Sequence, residues 1–174
     1  MVLGLAAITI APYHVLFYSF VFGSTAFHSY ISAPIAFKTL ARKDFAILQN
    51  KIFPGYFLAQ GISPIIIGLT APYALSTAAL TFLGISSISG MINYFYILPT
   101  TQKIKEARFK LEAEEESRGI SHNKNIEPTP QMKELNKQFG RIHGASLLFN
   151  FFSFVAITAY GFPLTYGLTR IIPS

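Results

Sequence analysis

Cysteine is absent from this 174-residue chain. Disulfides, thiolate metal sites and cysteine nucleophiles are therefore excluded, and the redox compartment cannot be read from thiol usage. Aspartate is almost absent: Asp44 is the only one, and it lies in a basic segment, so no Ser-His-Asp set can be assembled. The glycines are scattered and form no phosphate-binding loop. The acidic run around Glu112–Glu116 lacks the alternating oxygen ligands and central glycine of a calcium loop. Charge itself is scarce, at 13% of residues against about 25% in soluble domains.

The scarcity is also uneven. Residues 2–37, 52–102 and 142–169 carry no Asp, Glu, Lys or Arg. Crossing the hydrocarbon core takes about 20 apolar residues in a helix. The first window holds one span, the second holds two joined by a tight turn, and the third holds one. The expected fold is all-α: an integral membrane bundle of four transmembrane helices. The spans are expected at about 13–37, 53–70, 75–98 and 142–168, within a single membrane domain covering 1–174. The connections are cytosolic loops at 38–52 and 99–141, the second of them helical. Val2 to Ala11 is apolar but short, is followed by Pro12, and has no basic segment ahead of it. It reads as a lumenal or interfacial lead-in rather than a cleaved signal.

Pro34 lies in the last turns of the first span, where it can kink the helix. Around residues 44–49 a short interfacial helix is expected, and Pro54 fits the first turn of the second span. Ala71-Pro72-Tyr73 allows only a tight hairpin. In the third span Ser86, Gly90 and Asn93 share a face, a small-residue pattern ending in an amide. Beyond Pro99 the sequence turns polar, with opposite charges four residues apart such as Glu106/Lys110 and Arg108/Glu112. This reads as a solvated helical extension ending near Gly119. Thr129-Pro130 looks like an N-cap followed by proline at the first helical position. Met132, Leu135, Phe139 and Ile142 then repeat at helical spacing and lead into the fourth span.

Thirteen of the fourteen Lys and Arg residues fall in the two loops, and only Arg170 lies beyond the last span. The positive-inside rule places both loops in the cytosol and both termini on the other side. The net charge of +6 is therefore a topology signal, and nucleic acid is not an expected partner.

Three patches, in order, resemble the transmembrane protein 205 family of small four-span proteins. They are Gln49-x-Lys51-Ile52-Phe53-Pro54-x-Tyr56-Phe57, Asn93-x-x-x-x-Leu98-Pro99-x-Thr101, and Phe139-x-x-x-His143-Gly144-x-Ser146-x-Leu148-x-Asn150. The resemblance covers about residues 14–155. It implies fold and membrane residence; it implies no reaction, because the family has no agreed activity.

Amide and ionisable side chains inside a bilayer are expensive and point to function by default. Here they are His28, Gln60, Asn93, His143 and Asn150. Their depths are similar, so they can meet near the cytosolic leaflet, where the three family patches would form one cluster. In that reading they bind a small polar ligand or a lipid headgroup. In the plainer reading they are interhelical hydrogen bonds, worth about 0.6 kcal/mol each on average. Two histidines without an intramembrane carboxylate make an incomplete metal shell, and no metal or cofactor is expected. The Gly140/Gly144 pair reads as helix packing.

The expected function is a non-enzymatic scaffold, trafficking or accessory factor acting through the helical cytosolic loop. The alternative is a binder or carrier of a small molecule or lipid between the helices. An intramembrane oxidoreductase is third, disfavoured by the lack of paired carboxylates. The expected partners are the lipid bilayer and, through small-residue helix faces, a second copy or another membrane protein. Spans near 20 residues suit a thin bilayer such as the endoplasmic reticulum or another endomembrane, with a mitochondrial membrane as the alternative. The topology is directly checkable. Epitope tags at either terminus are expected to be protected from protease added on the cytosolic side of sealed membranes, and digestion of a C-terminal tag would contradict it.

Overall fold

The computed structural model describes residues 2–120 and 126–171, with side chains from residue 10 onward. Every element among them is helical, and no strand occurs among the described residues. Helix α1 spans Val2–Phe27 and continues through a π-helical turn, His28–Ser32, into α2, Ala33–Thr39. Helix α3 is Arg42–Leu69. Helix α4, Thr77–Ile92, passes through a second π-helical turn, Asn93–Ile97, into α5, Leu98–Ser117. Helix α6 is Pro130–Thr169. Three helical runs are long and apolar enough to cross a membrane: Arg42–Leu69, Thr77–Ser117 and Pro130–Thr169. Large apolar side chains such as Phe20, Phe27, Leu69, Phe95 and Phe162 face outward. Such a surface belongs in lipid, so this is a helical membrane protein.

The two π-helical turns share one cause. Pro34 follows the first by two residues, and Pro99 follows the second by two. A proline inside a helix has no N–H and its ring clashes with the carbonyl four residues back. Widening the preceding turn relieves that clash. The backbone N–H of Ala33 accordingly reaches back five residues to His28, and that of Leu98 to Asn93. The helix therefore continues through both prolines, and each wide turn begins at a polar residue, His28 or Asn93. Such turns occur often at functional sites.

The start of α3 departs from the expected loop. Residues 42–51 are helical throughout, so Pro54 lies inside α3 rather than in a first turn. Asp44 in the first turn complements the helix dipole, and the break falls at Leu40-Ala41, where the backbone is extended. Basic residues mark an aqueous boundary, but they are good helix formers and do not end a helix. Other local expectations hold: Thr129 Oγ1 accepts from the Met132 N–H at 3.2 Å, and Gly119 terminates α5 with φ of 80°.

Close packing joins α3, α4 and α6. Gly61 and Gly90 meet so tightly that a Cβ on Gly90 would lie 2.5 Å from the Gly61 nitrogen. Ser87 Oγ donates to the Gly61 carbonyl at 2.7 Å. Between α4 and α6 the contacts repeat every seven residues and run antiparallel. Ser86 pairs with Ser153 (Oγ···Oγ 2.9 Å) and Asn93 pairs with Ser146 (Oγ to Oδ1 2.9 Å). Two turns further along, Ala79 and Tyr160, both without exposed surface, share a core with Val21, Ile67, Leu83, Ile157 and Leu164. The first helical run is buried through α1, at Ala11, His14, Val21 and Thr25, but its π-helical turn and α2 contain no buried residue. Substituting Gly90 with alanine must push α3 from α4, an overpacking penalty of about 1–3 kcal/mol. Gly84→Ala, which meets nothing within 4 Å, is the control and is expected to be neutral or mildly stabilising. Unfolding of the detergent-solubilised or bilayer-reconstituted protein measures both.

Candidate functional site

Four polar side chains close into one network between three helical runs. Tyr56 and Gln60 lie four residues apart on α3 and so project together. Ser29 comes from the first π-helical turn and Asn150 from α6. The Tyr56 hydroxyl donates to Asn150 Oδ1 at 2.8 Å, and Gln60 Nε2 donates to the same oxygen at 2.8 Å. Asn150 Nδ2 donates to Ser29 Oγ at 3.0 Å. The single Tyr56 proton is thus committed to Asn150. At 3.0 Å from the Tyr56 oxygen, Ser29 must then be the donor of that pair. Two hydrogen-bonding atoms at this layer stay open among the described residues: His28 Nε2 and Gln60 Oε1 are buried without a partner. The His28 ring lies edge-on to Phe53 and tilts over Tyr56, with centroids 5.8 and 4.6 Å apart.

The sequence-predicted residues divide accordingly. Gln60 and Asn150 bond directly, and His28 joins them through Tyr56. Asn93, fully buried, sits apart and pairs with α6: its Nδ2 donates to the Ser146 carbonyl at 3.3 Å while Ser146 Oγ returns a bond. The π-helical turn that carries Asn93 touches both α3 and α6. His143 does not join; it is exposed and stacks on Phe139, with ring centroids 5.4 Å apart. Among the family-patch residues, Phe57 and Gln49 are buried, Phe53, Pro54 and Pro99 are half-buried, and Lys51 is exposed. Gly144, like Gly140, meets nothing within 4 Å. His122 lies outside the described residues.

A second polar layer occupies the opposite end of the bundle. His14, 2% exposed, bonds Thr70 Oγ1 at 3.2 Å and the Tyr160 hydroxyl at 3.1 Å, and Tyr73 reaches Tyr160 at 2.8 Å. Charge patterning gives no signal for this layer, because His14 stands second in the expected first span, where an imidazole can still reach interfacial water. Ser29 was passed over because a serine in a span usually bonds its own helix backbone; its neighbour His28 was the available signal.

Outside the apolar layers, α5 and the first part of α6 form a helical hairpin. Thr129 donates to the buried Glu115 at 2.5 Å, and Arg108 lies over Phe139 at 4.7 Å. Arg42 ties the hairpin to α3 through Glu112 at 3.4 Å. Between the two helices runs a groove of about 410 Å³ with Ala107, Leu111 and Leu135 in its lining and Lys110, Glu114 and Glu134 beside them. No group of three His, Cys, Asp or Glu capable of holding a metal occurs among the described residues.

A family described as "Domain of unknown function (DUF4149)" matches residues 16–110, more than half of the chain. The chain belongs to that family. It is also 26% identical over 157 residues, covering 90% of each chain, to "Xanthocillin biosynthesis cluster protein D" of Aspergillus fumigatus. No solved structure matches it.

Removing the hub of the first network should show in stability. Asn150→Leu leaves Tyr56, Gln60 and Ser29 short of partners and is expected to destabilise by about 1–3 kcal/mol. His143→Gln, at an exposed position, is expected to change stability by less than about 0.5 kcal/mol. Equilibrium unfolding of the two variants in bicelles distinguishes them.

Proposed function

We propose that this member of the family is a four-span membrane protein that acts as a scaffold, trafficking or accessory factor without chemistry of its own. In this reading the run from Val2 to Thr39 is the fourth span, added to the three helical runs of membrane-crossing length. Both termini lie on the non-cytosolic side, and the resemblance to the transmembrane protein 205 family accords with four spans. The observation that carries the accessory role is the α5–α6 hairpin. It is charged, capped at Thr129 and tied down through Arg42 and Glu112, so it presents a fixed cytosolic surface with a groove. The name of the fungal relative ties that protein to a biosynthesis cluster, a setting in which an accessory membrane protein beside enzymes is a natural role. The exposed Gly140 and Gly144 offer another membrane helix, from a second copy or a partner, a close approach. Residence in the endoplasmic reticulum or another endomembrane is proposed, with a mitochondrial membrane as the alternative.

A second reading, binding of a small molecule or lipid between the helices, is favoured by one observation: the open hydrogen-bonding atoms of His28 and Gln60. The two readings predict different sensitive surfaces. Replacing Lys110, Glu114 and Glu134 together with serine is expected to reduce cross-linked partner protein recovered from native membranes to background, with the bundle still folded. Unchanged recovery would remove the hairpin from the account.

A further inference from the structure

We propose that His28 and Gln60 hold the hydroxyl group of a neutral membrane amphiphile at the wide turn of the first helical run. This deepens the second reading above and rests on it. Gln60 is 4% exposed; its amide nitrogen is committed to Asn150 while its Oε1, an acceptor only, has no partner among the described residues. The partner it lacks must donate. His28 Nε2 is likewise buried and unpartnered. Both groups adjoin the same side chain: Gln60 Nε2 is 3.4 Å from the Tyr56 hydroxyl, and the His28 and Tyr56 ring centroids are 4.6 Å apart. A hydroxyl satisfies the pair, donating its proton to Gln60 Oε1 and accepting from the Nε2–H of the imidazole.

The surroundings narrow the class. Gln60 lies seven residues past Phe53, about 10 Å along the axis at 1.5 Å per residue. No charged side chain occurs from residue 52 to 102, from 2 to 37 or from 142 to 169, so a charged headgroup drawn to this depth would find no counter-ion. The walls near His28 are aromatic, with Phe53 edge-on and Phe57 stacked on it at 5.1 Å. Phe27, just before the turn, and Tyr30 and Ile31, within it, are exposed, so the approach is lateral, from lipid. The His28–Ser32 turn contains no buried residue.

The test uses the full-length protein in phosphatidylcholine vesicles with two photoactivatable probes. One is a sixteen-carbon alcohol carrying a diazirine near its hydroxyl, and the other is its methyl ether. The alcohol is expected to label peptides around His28 or Tyr56, and the ether, which has no proton to donate, is not. His28→Leu breaks no hydrogen bond within the protein and is expected to cut labelling about tenfold, about 1.4 kcal/mol, at unchanged thermal stability. Gln60→Leu is expected to cut labelling as far, with a loss of stability besides, because it also removes the bond to Asn150. Equal labelling by alcohol and ether, or full labelling of His28→Leu, would overturn the proposal; the second result is the one expected if only water meets these atoms. Competition by excess glycerol would also overturn it, since the hydroxyl would then come from the aqueous phase. Equal labelling by both probes would leave the second reading standing without the hydroxyl contact, whereas labelling by neither would remove the second reading as well.

Discussion

Lipid offers hydrogen bonds to nothing inside it, and the arrangement of this bundle depends on that constraint. A polar group carried into the hydrocarbon is costly unless it finds a partner, and most here find one on another helix or on their own backbone. Asn150 is the clearest case. With its oxygen shared by Tyr56 and Gln60 and its nitrogen on Ser29, it joins α6, α3 and the first helical run at one height. Interhelical bonds of this kind average only about 0.6 kcal/mol, so their main effect is on register. A shift of one residue along any helix rotates its polar group about 100° away and leaves several groups unpaired at once.

The first helical run shows why register needs such fixing. Helices α3, α4 and α6 lock by shape: glycine against glycine at 61 and 90, and small residues every seven positions between α4 and α6. The first run has less of this. It meets the others through His14 with Thr70 and Tyr160 near one end, Tyr18 against the Ile157 carbonyl midway, and Ser29 near the other end. Val21 lies in the central core, and Phe17, Tyr18 and Phe22 pack against it. The open atoms of His28 and Gln60 lie where this run meets α3.

Much of this was legible in the charges and little of it in the side-chain directions. Three charge-free windows marked the apolar segments because ions are excluded from lipid. Depth from those boundaries put Gln60, Asn150 and His28 at one height. Depth does not give azimuth, and that is why His143, a good match in height, faces outward while the unremarked Ser29 faces in. The start of α3 was hidden because a lysine marks water without marking the end of a helix. The wide turns had a signal in the six-residue spacing from His28 to Pro34 and from Asn93 to Pro99, legible once a proline is read as a constraint on the turn before it rather than as a kink. The layer at His14 required counting a histidine near a span end as a buried one.

The account stands on the polar layer at Asn150 acting as one unit. A double-mutant cycle on the unfolding free energy in bicelles measures that directly, with Tyr56→Phe and Asn150→Leu as the single variants. A cooperative layer predicts a coupling of about 1 kcal/mol or more, near the upper range for interhelical bonds in membranes. Additive effects, with coupling below about 0.3 kcal/mol, would mean that these side chains merely fill space and that shape alone holds the helices in register.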